Sequence, residues 1–209
     1  GYDNTIIYNS DVGVYIYGDE NSGGVDVKII GFNIESTSKQ AVHTSGGGLN
    51  IIFNKCVFKS SMASGSTSTI GAVYTVNRSG SEVNFNNCVF RSSYAGICVT
   101  SSGGATFGNT NVKNSIFYSN TNRAANVNSG NLTIINSIVY KNGNTFYRDS
   151  ESTLTSAYNI FYGNTSELDN HGSLGIIESD PKFIDLTKSY ALATDSPAIN
   201  KGNASSSFN

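Results

Sequence analysis

"NKCVFKSS", residues 54–61, returns almost unchanged as "NNCVFRSS" at residues 86–93. Two near-copies in one chain mark equivalent places in a repeating structure, so the rest of the chain is read against them. Five further segments fall into line: "DNTIIYNS" (3–10), "IGFNIEST" (30–37), "KNSIFYSN" (113–120), "INSIVYKN" (135–142) and "AYNIFYGN" (157–164). Anchored on the cysteine position, the seven copies sit at residues 5, 32, 56, 88, 115, 137 and 159, one every 22 to 32 residues.

Stacked as columns, the copies separate by chemistry. The position before the anchor reads Asn4, Gly31, Lys55, Asn87, Asn114, Asn136 and Tyr158. Gly and Asn tolerate the left-handed backbone best, so this column predicts a tight bend with positive φ. Two positions past the anchor stand Ile7, Ile34, Phe58, Phe90, Phe117, Val139 and Phe161, without a polar member. That is a core ladder. The next column, Tyr8, Glu35, Lys59, Arg91, Tyr118, Tyr140 and Tyr162, mixes charge and phenol, as the opposite face of an alternating strand should. Between them runs Ile6, Asn33, Val57, Val89, Ile116, Ile138 and Ile160. Strict alternation turns this row outward, as an adhesive or subunit-packing surface, whereas a bend after the Asn column would turn it into the core; the sequence leaves both open.

Short strands ending in Gly, such as "VYIYG", "AVHTSGGG" and "AVYTVNRSG", fill the intervals, and no stretch carries a helical period. Strands joined by Asn/Gly bends, with one side-chain type recurring at each point of the circuit, describe a β-solenoid. The seven copies resemble coils of right-handed parallel β-helix proteins, the pectate-lyase-like superfamily, with Asn87, Asn114 and Asn136 resembling its internal asparagine ladder. "DPKFIDLTKSYALATDSPAINKG" (180–202) resembles the closing segment of secreted or surface-displayed bacterial and archaeal β-helix proteins. The expected fold is therefore all-β: a single-stranded right-handed parallel β-helix of about seven coils over residues 1–179, closed by a C-terminal cap and tail over 180–209. At about 4.8 Å per coil the rod would be about 34 Å long.

Composition narrows the function classes. Charged residues make up 13% of the chain and the net charge is −2, which offers no electrostatic reason to bind nucleic acid. No apolar run reaches the length of a membrane span. Gly, Ser, Asn and Thr dominate the remainder, Trp is absent and Met occurs once, a balance that suits an exported scaffold at the cell surface or outside it. The chain opens inside a copy and without Met, as a piece of a longer exported protein would. Cys56 and Cys88 share a column, and buried free thiols are the expectation, with a disulfide between stacked neighbours as the alternative. Asn-x-Ser/Thr sequons fall at Asn77, Asn131, Asn164 and Asn203.

The superfamily resemblance implies two chemistries to look for. Lyases of this group use a Lys or Arg base beside acidic residues that hold calcium against a uronate carboxylate. Lys59 and Arg91 are the base candidates, with Glu35 and Glu82 as acids, but Glu82 is the one acidic residue between 36 and 148, so the calcium cluster is missing. Hydrolases of the group need paired Asp residues on adjacent strands. Asp26 and Asp149 are coils apart, and Asp180, Asp185 and Asp195 belong to the closing segment, where turn formation and strand-end capping account for them. His43 and His171 lie about five coils apart, so no histidine pair is expected and both read as ordinary surface residues.

The stripe Glu35, Lys59, Arg91, Tyr118, Tyr140 and Tyr162 is the main binding candidate, because aromatic faces pack on sugar rings and cations pair with uronate or sulfate. The leading expectation is a non-catalytic extracellular module of an adhesin-like or filament-forming surface protein, with glycans or neighbouring subunits or further coils as partners. No metal or cofactor is expected. The alternatives are a polysaccharide lyase or glycoside hydrolase fragment, which would bring calcium with it, and a phage tailspike-like polysaccharide-binding β-helix.

Overall fold

A computed structural model of the protein describes residues 6–19, 24–62, 69–101, 107–166, 172 and 174–204. Each repeat forms three short strands, and successive repeats stack into three parallel sheets, with no α-helix among the described residues. Sheet A holds the seven copies themselves: Ile6–Asn9, Asn33–Ser36, Val57–Ser60, Val89–Arg91, Ile116–Tyr118, Ile138–Tyr140 and Ile160–Tyr162. Sheet B stacks Val14–Gly18, Val42–Gly46, Val73–Asn77, Ala95–Thr100, Arg123–Asn128 and Asn144–Arg148. Sheet C stacks Val25–Ile30, Leu49–Asn54, Glu82–Asn86, Asn109–Lys113, Asn131–Ile135 and Thr153–Ala157. The chain visits A, B and C in turn, so the seven copies enclose about six turns of a parallel β-solenoid rather than seven full coils.

The columns survive as strand register. Ile7 pairs with Ile34, Ile34 with Phe58, Phe58 with Phe90, Phe90 with Phe117, Phe117 with Val139 and Val139 with Phe161. From Ile34 to Phe161 this row is buried. Phe90 stacks on Phe117 with ring centroids 4.7 Å apart, and Phe53 stacks on Phe85 at 5.0 Å from the facing sheet. Alternate residues of sheets B and C complete one continuous core, including Val42, Val73, Ile97, Ile51, Val83, Leu132 and Ile134.

The bend before the anchor is left-handed in all six described copies: Gly31, Lys55, Asn87, Asn114, Asn136 and Tyr158 have φ between 50° and 78°. Lys55 and Tyr158 adopt it against their intrinsic preference, because the ladders on either side hold the backbone there.

The buried asparagine ladder runs through a different column from the one the resemblance implied. Asn87, Asn114 and Asn136 lie on the bend itself, half-buried or exposed. The ladder lies where sheet A turns into sheet B, at Asn120, Asn142 and Asn164, with Ser93 and Ser60 continuing it. Ser60 N–H donates to Ser93 Oγ at 2.9 Å, Ser93 N–H to Asn120 Oδ1 at 3.3 Å, Asn120 N–H to Asn142 Oδ1 at 3.0 Å and Asn142 N–H to Asn164 Oδ1 at 2.9 Å. Each amide then donates inward, Asn120 to the Phe90 carbonyl, Asn142 to Phe117 and Asn164 to Val139. A carboxamide can accept from the N–H of the preceding coil while its amide donates back to a carbonyl of that coil, which satisfies backbone groups that a corner takes out of the sheet. A second ladder follows the anchor column, from Cys88 N–H to Ser115 Oγ, Ser115 N–H to Ser137 Oγ and Ser137 N–H to Asn159 Oδ1.

After Ile160–Tyr162 the chain adds three parallel bridges at the end of the solenoid, Ser166 to Asn144, Leu174 to Ala157 and Ile177 to Ile160. Residues 180–204 then fold back along the outer face of sheet A as a strap. Phe183 reaches Tyr140, Tyr190 packs on Val57 and Val89, and Asn203 exchanges two hydrogen bonds with Asn136. The strap is tied internally by the Phe183–Leu192 bridge and by Lys182 Nζ on Asp195 at 2.6 Å. Its position resolves the ambiguous apolar row: Val57 and Val89 point outward and are nevertheless buried, in a small cluster with Tyr190, Ile116, Phe183 and Leu186 that is separate from the core. Ile6, at the far end of the same row, is exposed.

Candidate functional site

The stripe on sheet A forms in register. Glu35 pairs with Lys59, Arg91 with Tyr118, Tyr118 with Tyr140 and Tyr140 with Tyr162. The three tyrosine rings lie nearly parallel, with centroid distances of 5.7 Å and 6.2 Å. Only its Tyr162 end is open. Tyr140 is 7% exposed beneath Phe183, and Lys141 Nζ sits 4.9 Å from its ring centre, whereas Tyr162 is 41% exposed. At the other end, Glu35 lies between Lys59 at 3.9 Å and Arg91 at 3.5 Å, so both cations already face a carboxylate.

Glu82 does not join them. It projects from the outer face of sheet C, where Asn84 and Asn111 each donate to its Oε1 at 3.3 Å. The residues that a lyase reading would combine, Lys59, Arg91 and Glu82, are thus split between two faces of the solenoid.

The aspartates are engaged in structural contacts. Asp26 accepts from Asn50 at 2.6 Å, Asp149 accepts from Ser129 N–H and Ser152 Oγ, and Asp185 accepts from Thr187 and Lys188. The Thr187 N–H and hydroxyl hold the Asp185 carboxyl below its ordinary range, and Lys182 does the same for Asp195. No group of three or more His, Cys, Asp or Glu side chains among the described residues is placed to hold a metal ion.

Cys56, Cys88 and Cys98 are buried free thiols. Burial pushes Cys98 up to about 12 and raises Cys88 as well, so neither thiol ionises near neutrality. Two of the sequons are structural: Asn77 is buried and donates to Thr110 Oγ1, and Asn164 belongs to the ladder.

Sheet B carries a feature that the repeat alignment passed over. Tyr15 pairs with His43 and His43 with Tyr74 on three successive turns of its outer face. The centroids are 4.8 Å and 4.9 Å apart, with the first pair edge-on and the second tilted. His43 is consequently half-buried rather than an ordinary surface residue; its Nε2 is enclosed with no hydrogen-bond partner, and burial lowers its pKa. His171 lies outside the described residues. Tyr17, two positions after Tyr15 on the same face, is 61% exposed and Tyr15 is 57% exposed. Beside Tyr15, at the corner between sheets A and B, Asn9, Asp11, Val12 and Lys39 line an open cleft of about 350 Å3. Lys39 Nζ lies 2.7 Å from Asp11 Oδ1, and this bond holds the Asp11 carboxyl below its ordinary range. The signal for this ladder lay in the strands between the copies. "VYIYG", "AVHTSGGG" and "AVYTVNRSG" align on Tyr15, His43 and Tyr74 once they are stacked as the copies are.

A second cavity, of about 220 Å3, opens between the strap and sheet A. Its floor is Ile116, Ile138 and Ile160, and Phe183, Leu192 and Lys201 stand around it.

No protein-family model matches the chain, and no curated protein is significantly similar to it.

Proposed function

We propose that the protein is a non-catalytic β-solenoid module of an extracellular surface protein, adhesin-like or filament-forming, that binds glycan chains on its outer faces. The observation that carries this reading is the outward aromatic row Tyr15–His43–Tyr74 in coil register on sheet B, with Tyr15 and Tyr17 exposed at its end, whereas the row on sheet A is covered at Tyr140 by the strap. Exposed aromatic rings such as Tyr15 and Tyr17 give a sugar ring apolar surface to pack on, and polar side chains beside them supply directional bonds.

Binding rather than turnover is favoured by how the acids and bases are spent. Lys59 and Arg91 share Glu35, Glu82 is held by asparagines on another face, and Asp26, Asp149 and Asp185 accept local hydrogen bonds. A general base has to be free to take its proton. Extracellular placement is supported by the low charge and the Gly/Ser/Asn/Thr-rich make-up.

The test is affinity electrophoresis through gels containing neutral and acidic polysaccharides, together with ultraviolet absorbance of unsaturated products with and without calcium. Retardation on at least one polymer with a flat absorbance trace is expected. A calcium-dependent rise in absorbance would make the protein a lyase, and free migration in every gel would remove glycans as its partners.

A further inference from the structure

The two aromatic rows are not equally available. Tyr140 lies under Phe183, so the row on sheet A is interrupted at its middle ring, and the cations next to it are paired with Glu35. The strand Val14–Gly18 is different. Tyr15 and Tyr17 stand side by side on its outer face, both more than half exposed, and residues i and i+2 of a strand lie about 7 Å apart, close enough for one oligosaccharide to touch both. His43 and Tyr15 meet edge-on, and Tyr74 packs against His43 in turn, so the orientation of Tyr15 is supported by two further rings. At the end of this platform lies the cleft of Asn9, Asp11, Val12 and Lys39.

We infer that Tyr15 and Tyr17, with Asp11 and Lys39 at their end, form a binding site for a neutral hexopyranose oligosaccharide. This rests on the glycan-binding reading above. An aromatic floor takes the apolar C–H face of a pyranose, while a carboxylate and an ammonium side by side accept from and donate to neighbouring hydroxyls. The two charges cancel within the cleft, so a ligand carrying its own carboxylate gains from Lys39 only what it loses against Asp11. Hydroxyls both donate and accept and are matched by the pair as it stands. His43 is a positioning residue, because its ring reaches Tyr15 and its Nε2 is enclosed.

The experiment is isothermal titration calorimetry of the full chain with cellohexaose, maltohexaose and mannohexaose as neutral probes and hexagalacturonate as the acidic one. The variants are Tyr15→Ala, Tyr17→Ala, Asp11→Asn and, on the other face, Tyr162→Ala, each checked for parent-like circular dichroism. The expected result is binding of at least one neutral hexaose, weakened about tenfold or more by Tyr15→Ala and Tyr17→Ala, weakened by Asp11→Asn, and unchanged by Tyr162→Ala. Neutral binding lost in Tyr162→Ala but kept in Tyr15→Ala would overturn this site and leave the glycan reading standing. Binding of hexagalacturonate alone would overturn the ligand class. If the parent binds no probe and is not retarded by any polymer, the inference and the reading beneath it fall together.

Discussion

Removing the side chain of Asn142 tests the corner ladder at its centre. Asn142 is 2% exposed, and its Oδ1 accepts from Asn120 N–H at 3.0 Å and from the Asn120 amide at 2.9 Å, while its own amide donates to the Phe117 carbonyl at 3.0 Å. Asn142→Ala takes a partner from all three of these buried groups. At about 1–3 kcal/mol for each unsatisfied group, and with some relaxation toward water, the cost is about 3–6 kcal/mol, a large share of the 5–15 kcal/mol that holds a typical domain. Serine supplies the control, because the same ladder uses it: Ser93 Oγ accepts from Ser60 N–H at 2.9 Å and donates to the Arg91 carbonyl at 2.9 Å. Asn142→Ser therefore restores an acceptor for Asn120 N–H and is expected to cost about 1–2 kcal/mol. Urea unfolding followed by circular dichroism gives the stability order. Hydrogen exchange at the Asn120 amide gives the local readout, which is needed because a stacked array can open one turn at a time. The reasoning is refuted if Asn142→Ala lies within about 0.5 kcal/mol of the parent, a surface-like value, or if Asn142→Ser is as damaging as Asn142→Ala.

Two further outcomes are expected. Burial lowers the His43 pKa below its ordinary value of 6.5, so the unfolded chain binds the proton more tightly than the folded one; this stability is complete above about pH 6.5 and is lost as pH falls toward the folded value. Urea midpoints between about pH 7 and pH 5 should fall for the parent and fall less for His43→Gln, and equal slopes would show that His43 does not titrate as its burial requires. On sheet A, Phe183→Ser combined with Tyr190→Ser should loosen the strap and uncover Val57, Val89 and Ile116. More binding of a hydrophobic dye and larger particles in light scattering are the expected signs; parent-like behaviour in both would mean that the strap does not shield that row.

Much of the architecture could be read from the chain because a solenoid repeats its chemistry at fixed places. The Ile7 to Phe161 row carries no polar residue in seven copies, and only a buried ladder asks for that. The left-handed bend was legible where Gly or Asn occupies it; at Lys55 and Tyr158 local preference points elsewhere and the stacked neighbours prevail. The internal ladder was misplaced because Asn serves two purposes, as a residue that tolerates positive φ at 87, 114 and 136 and as a two-way hydrogen-bonder at 120, 142 and 164. Sequence does not label which purpose an Asn serves; its backbone φ and its hydrogen-bond partners do.

The repeat by itself determined the fold class, the core row, the bend column and the register that stacks Tyr118, Tyr140 and Tyr162, since all of these follow from local periodicity copied along the chain. Tertiary structure alone decided what covers what. The fold-back of residues 180–204 turned an outward apolar row into a buried one and closed the middle of the tyrosine stripe, through contacts between residues such as Tyr190 and Val57 that lie far apart in sequence. It likewise decided that Glu82 stands apart from Lys59 and Arg91, and that Asp11 and Lys39 from consecutive turns meet beside Tyr15. Periodicity specifies which residues share a column, whereas the neighbours across a corner or beneath a strap depend on how the columns close in three dimensions.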